Sequence, residues 1–120
     1  MPVEIVVLHP NEWPLYRAIR LESLQIEPQA FGSTYAKTLE LPDEEWANRL
    51  GSTRNHPRFA RLDGEIVALA GIALERDKRS ASIFGAYVQP SHRGQGIGKR
   101  LMERLLQIAR AEPEIDQIVL

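Results

Sequence analysis

The chain has 120 residues and a mass of 13.6 kDa, the size of one compact domain, and 43% hydrophobic with 26% charged residues is a composition that folds around one core. Fifteen Lys and Arg against sixteen Asp and Glu leave a net charge of −1, which gives no basic field for nucleic acid, and the absence of cysteine excludes disulfides, thiolate metal sites and an acyl-cysteine. No apolar run approaches the roughly 20 residues of a membrane span, and Met1-Pro2-Val3-Glu4-Ile5 lacks the basic start of a signal peptide, so a cytoplasmic protein without a membrane partner is expected.

Val3 to Leu8 is a β-branched run closed by His9-Pro10-Asn11, a strand followed by a turn. Asn11 is placed to cap a helix whose apolar positions are Leu15, Ile19, Leu21 (or Ala18) and Leu24, and Pro28 ends the pattern. Gln29 to Pro42 reads as a loop with one helical turn at most. Asp43 and the acidic Glu44-Glu45 open a second helix that reaches about Leu50. Arg58 to Leu62 and Glu65 to Leu74 flank Asp63-Gly64, a two-residue hairpin signal. Polar Glu75 to Ser80 separates these strands from a third, Ala81 to Val88. From Gly96 the period becomes helical: Ile97, Leu101, Met102, Leu105, Ile108 and Ala109 form an apolar stripe opposite Lys99, Arg100, Glu103, Arg104 and Gln107. Pro113 stops this helix and Asp116 to Leu120 begins a last strand. The expected fold is α+β, a mostly antiparallel mixed sheet with one parallel crossover, flanked by helices, in a single domain over residues 1–120.

Tyr87 to Arg100 carries the chemistry. Gly94, Gly96 and Gly98 alternate between a strand and an amphipathic helix, so the backbone can come close to a ligand. The helix that follows adds unpaired N–H groups and the positive end of its dipole, a socket for phosphate or diphosphate. Residues 91–110 hold five basic residues against Glu103 alone, a local charge of +4 that leaves −5 for the remainder. A Walker loop would need glycine at Arg93 and Ser or Thr at Arg100, and a dinucleotide fingerprint would need glycine at Lys99; neither is met. The spacing alone leaves open a plain strand-to-helix loop with permissive glycines.

Arg93, Gly96 and Gly98, preceded by the apolar strand Ile83 to Val88 and by Pro90, resemble motif A of the GCN5-related N-acetyltransferase (GNAT) family. The order of elements is similar to that fold from its first strand to its fifth. Trp13-Pro14-Leu15, Ala30-Phe31-Gly32-Ser33 and Glu44-Glu45-Trp46 resemble one bacterial branch more loosely. The resemblance implies acetyl-CoA as cosubstrate, no metal, and direct transfer to a primary amine of a small molecule or peptide. It implies that main-chain amides from Arg93 through Gly94, Gln95, Gly96, Ile97 and Gly98 to Lys99 hold the diphosphate. Tyr87 and Val88 would hydrogen-bond the pantetheine arm through their main chains, like an added strand, where the family splays the strand from its neighbour. Gly85 is placed either for a bulge that opens the splay or to relieve crowding.

No catalytic side chain is assigned. Tyr35 and Glu22 are candidates for the acceptor wall, although packing for Tyr35 and solvation for Glu22 are the favoured readings. Tyr87 is expected to pack rather than act as an acid, His92 to be exposed, and Trp13 and Trp46 to pack between helices. His9, His56 and His92 stand apart, so no metal cluster is expected. Family members usually continue past the equivalent of Leu120 with a helix, often bearing a tyrosine acid, and two strands. A shortened chain, a natural fragment and a homodimer that covers the apolar edge at Ile118-Val119-Leu120 are the three explanations. Shortening, with association filling part of the gap, is the favoured one. A non-catalytic CoA-binding or sensing module, or an inactive fragment, therefore stands as the alternative to an enzyme.

Overall fold

A computed structural model describes residues 3–27 and 34–119. The elements in chain order are β1 (Glu4–Val6), α1 (Trp13–Ile26), α2 (Tyr35–Leu39), α3 (Asp43–Leu50), β2 (Asn55–Leu62), β3 (Glu65–Glu75), β4 (Ser80–Val88), α4 (Ile97–Arg110) and β5 (Gln117–Val119). Five strands form one sheet in the order β1-β2-β3-β4-β5; every pair is antiparallel except β4–β5, which is parallel. The parallel pair is the one joined through a helix, as a crossover requires. The mixed, mostly antiparallel α+β fold read from the sequence is what forms.

Each face of the sheet has its own core. On one side Ala68, Ala70, Ile72 and Leu74 of β3 alternate toward Leu101, Leu105 and Ala109 of α4. On the other, Phe59, Leu69 and Tyr87 meet Tyr16 and Ile19 of α1 and Trp46 of α3. Tyr16 sets that second core: its ring stands edge-on to Trp46 at 5.1 Å and to Phe59 at 5.5 Å. The expected stripe on α1 is corrected here. Leu15 is exposed and Tyr16 takes the inward position beside Ile19 and Leu24. Trp46 is fully buried and Trp13 packs against the same cluster, as helix-packing residues.

The start of α1 differs in detail from expectation. His9, not Asn11, is the cap: its Nδ1 accepts from the Asn11 N–H at 3.3 Å while Glu12 Oε1 accepts from the His9 N–H at 2.9 Å. This box closes a short 3₁₀ turn, Pro10–Glu12, from which α1 continues. Thr34 caps the additional short helix α2 by accepting from Lys37 N–H at 3.2 Å. Pro28, and Ala30-Phe31-Gly32-Ser33 of the looser resemblance, lie outside the described residues.

Between β4 and β3 the register slips by one residue: Tyr87 faces Leu69 but Phe84 faces Gly71, so β4 carries one extra residue. Gly85, at φ +64°, supplies it. The bulge, one of the two readings of Gly85, is therefore present. Phe84 lies over the bare backbone of Gly71, whose absent Cβ would sit 2.3 Å from Phe84 Cζ. At the other end of β4, Arg79 makes a two-pronged bond to Asp116 at 2.6 and 2.9 Å, pinning the start of β5 and holding the Asp116 carboxyl below the usual range.

The Phe84–Gly71 contact makes a packing prediction. Gly71→Ala is expected to lower stability by roughly 1–3 kcal/mol through overpacking. In urea titrations the same change on a Phe84→Ala background should cost clearly less.

Candidate functional site: the strand-to-helix loop and its cleft

β4 ends at Val88, and a 3₁₀ turn over Pro90–His92 redirects the chain. Gly94 and Gly96 follow at φ +81° and +82°, a conformation costly for residues with a Cβ. Gly96 is the N-cap of α4, and its carbonyl accepts from Arg100 N–H at 3.1 Å, which starts the helix. Ile97 is buried and anchors this first turn to the α4 core. A Cβ added at Gly94 or Gly96 would meet no atom within 4 Å, so both face open space.

The consequence is a row of available donors. No hydrogen bond joins the N–H groups of Gly94, Gln95, Gly96, Ile97, Gly98 or Lys99 to another group among the described residues. Six consecutive amides at the positive end of a 14-residue helix form a strong anion socket. Arg93 is different from the expectation, since its N–H already donates to Pro90 O at 3.4 Å. The free run begins one residue later than the motif suggests.

Beside the loop lies a cleft of about 240 Å³, bounded by Glu27, Leu69, Tyr87, Val88, Arg93 and Gly98 among others. Tyr87 and Val88 were both expected to offer main-chain groups to a ligand. The register separates them. Gln89 N–H donates to Val67 O at 2.9 Å, so alternation turns the N–H and C=O of Tyr87 toward β3 and those of Val88 away from it. Val88 O accepts from Arg93 Nε at 2.8 Å, so its N–H is the group that remains on the open side. Among the described residues β4 and β5 pair at Ser80–Gln117, Ala81–Ile118 and Ser82–Val119.

Tyr87 contributes its side chain instead. Its hydroxyl donates to Glu22 Oε2 at 2.7 Å, and Gln89 Nε2 donates to Glu22 Oε1 at 3.1 Å. Glu22 is half-buried and fully engaged, which corrects the expectation of a solvated side chain. Tyr35, expected to pack, is exposed on α2. Arg93 spans the mouth of the cleft: its guanidinium lies 5.8 Å from the Tyr87 ring centre and pairs with Glu27 at 2.8 Å. His92 is half-buried rather than exposed. Among the described residues no group of three His, Cys, Asp or Glu could hold a metal ion. Lys99 projects into solvent, whereas Arg100 bonds the carbonyl of Val3. Sequence reasoning missed Glu27 and Gln89, which sit 66 and 67 residues from their partners Arg93 and Glu22 respectively and carry no motif.

With this geometry in place, comparison with known proteins decides the family. The model of the acetyltransferase (GNAT) family matches residues 16–120. The chain belongs to the GNAT acetyltransferase family. Among solved structures it is similar to a ribosomal-protein-alanine N-acetyltransferase from Brucella melitensis, at a TM-score of 0.77 and 21% identity over 100% of this chain and 79% of that one. A predicted acetyltransferase from Clostridium acetobutylicum, solved with acetyl-CoA, gives 0.75 and 23% over 99% and 80%. The PaiA N-acetyltransferase of Thermoplasma acidophilum, in complex with coenzyme A, gives 0.73 and 16% over 92% and 74%. At these identities the likeness is one of GNAT fold. No curated protein sequence matches the chain. No helix of the described residues is long and apolar enough to cross a membrane.

Burial, and then the bond to Glu22, push the Tyr87 phenol up to about 12. The folded state therefore favours the protonated phenol relative to an unfolded tyrosine near 10. This contribution to stability is complete below about pH 10 and is lost as pH rises through about 12. Urea midpoints measured across that window should fall more steeply for the wild type than for Tyr87→Phe, with the two converging toward its upper end.

Proposed function

We propose that the chain is an N-acetyltransferase that moves an acetyl group from acetyl-CoA to a primary amine of a small molecule or peptide by direct attack. The observation that carries this reading is the row of six unpartnered amides from Gly94 to Lys99, opened by two left-handed glycines at the head of α4. The residues fit the group: a diphosphate is an acceptor-rich dianion, and donors without protein partners facing open space are what it requires. Coenzyme A and acetyl-CoA accompany two of the relatives of the same fold.

In this assignment Gly94, Gln95, Gly96, Ile97, Gly98 and Lys99 bind through their main chains, with the glycines giving closeness rather than side-chain contact. Val88 offers its N–H to the arm as an added strand would. Tyr87 lines the cleft with its ring, and Arg93 holds the mouth by bonding Val88 O and Glu27. Acetyl-CoA, when bound, supplies an activated thioester, so no acyl-enzyme and no cysteine are needed. An alkylammonium has a pKa near 10 and must lose a proton before it can attack, to water or to a carboxylate. Glu22 is the half-buried carboxylate on the inner side of α1, and its two oxygens are fixed by Tyr87 and Gln89.

Gly96→Val tests the socket. A branched side chain there is strained at φ +82° and projects into the space before the amides. Calorimetric titration with CoA should show affinity reduced by about tenfold or more, the loss of one or two charge-assisted bonds, while circular dichroism still reports a folded chain. Unchanged affinity would refute the socket. Release of free CoA from acetyl-CoA across a panel of primary amines tests transfer itself; saturable binding without release would instead favour a CoA-binding module.

A further inference from the structure

The side of β4 that faces away from β3 is an open strand edge. Among the described residues β5 covers it only at Ser80, Ala81 and Ser82, while Val88, at the other end, borders the cleft. An edge of this kind takes an added strand, which gives a donor to the edge carbonyl and receives the edge N–H. At Val88 half of that pair is already engaged, because the carbonyl accepts from Arg93 Nε at 2.8 Å.

Two further contacts hold the guanidinium there. Its Nη2 donates to Glu27 Oε2 at 2.8 Å, and its carbon lies 5.8 Å from the centre of the Tyr87 ring. Tyr87 and Val88 end β4, whereas Glu27 is the C-cap of α1, so the planar group is laid across the cleft between two elements. A carbonyl has two lone pairs and can accept twice. A guanidinium held on the open side of the edge nevertheless stands in the path of the second donor. The two sides of this closure differ in firmness. Tyr87 is fixed by Glu22, and Val88 by its place in the sheet. The Arg93 and Glu27 side chains are 45% and 46% exposed, so water screens their pair and it opens readily.

We propose that Arg93 is a gate on the cleft: its guanidinium competes with the pantetheine arm for the Val88 carbonyl, and Glu27 holds it in the closed position. This rests on the acetyl-CoA reading and adds to it a residue pair that controls entry of the arm. An arm that pairs with both main-chain groups of Val88 requires Arg93 to withdraw, and the weakness of the Glu27 pair sets how easily it does so.

The Arg93 Nε–H reports the closed position in proton–nitrogen NMR spectra, since a donor bonded to a carbonyl exchanges with water more slowly than a free one. Its signal is the one missing from Arg93→Met, and circular dichroism checks that each variant folds. In the wild type the signal should be protected; Glu27→Gln should lower that protection about two- to fivefold, the worth of one exposed pair. Saturation with CoA should abolish it. If CoA binds and the Arg93 signal stays as protected as before, the gate is refuted. A second measurement uses pantetheine, which is uncharged and so does not respond to the overall charge of the variants. Glu27→Gln should bind it about two- to fivefold more tightly, Arg93→Met at least as tightly as that, and Glu27→Gln should add nothing on the Arg93→Met background. Unchanged or weaker pantetheine binding in Glu27→Gln would also refute the gate; where pantetheine binds too weakly to titrate, the NMR signal alone decides. Failure of CoA to bind the wild type would strike the acetyl-CoA reading instead.

Discussion

A helix cannot bond its own first amides, and in this protein that deficit is left facing outward. At most helix starts a side chain or a turn satisfies some of these donors, as His9 and Thr34 do at two other starts in the same chain. At α4 the cap is Gly96, which has no side chain to offer, and the loop before it turns away through a second left-handed glycine. The rest of the fold holds that gap open. Ile97, Leu101 and Leu105 bind α4 to the sheet, and the parallel pairing of β5 with β4 returns the chain from the helix to the same sheet. The positive end of α4 is thereby fixed beside the last residues of β4.

The second device is a polar chain that crosses the cleft. Arg93 on the loop touches Val88, Tyr87 and Glu27, while Tyr87 and Gln89 hold Glu22. Glu22 and Glu27 both belong to the last turns of α1 and its C-cap, so the end of that helix is tied to the end of β4 at several points. The Arg93–Glu27 pair is about half exposed on both sides, so screening by water makes it weak and reversible. The Tyr87–Glu22 bond is sheltered and short, and it fixes the wall of the cleft whether or not the outer pair is made.

Much of this was legible in the sequence because it is local. The Asp63-Gly64 turn, the stripe on α4 and the glycine pattern each depend on residues within a few positions of one another, and the observed β2–β3 hairpin, α4 and loop follow them closely. What escaped was non-local. Leu15 and Tyr16 are equally apolar by pattern, and only the arrival of Trp46 and Phe59 selects Tyr16 for the inside. His9 displaces Asn11 as cap because Glu12 can bond back to it, a reciprocity that proline between them sets up in geometry rather than in pattern. Glu22 reads as a surface carboxylate until the end of β4 and the residue after it bring a tyrosine and a glutamine to it from 65 and 67 residues away. Tyr87 and Val88, read together from the sequence, turn their main-chain groups opposite ways for a simpler reason: neighbours on a strand present their main chains to opposite sides.

The extra residue in β4 has a reach beyond its own bend. Side chains on a regular strand alternate, so positions three apart point to opposite faces. Phe84 and Tyr87 are three apart, yet they stand across from Gly71 and Leu69, which are two apart and share a face. Gly85 has shifted the phase of everything after it by one step. Were the same residues drawn into a regular strand with the bulge closed up, strict alternation from Phe84 would carry the Tyr87 hydroxyl to the side where α4 packs and leave Glu22 to face a valine, whereas loss of one residue at the bulge would keep Tyr87 where it is.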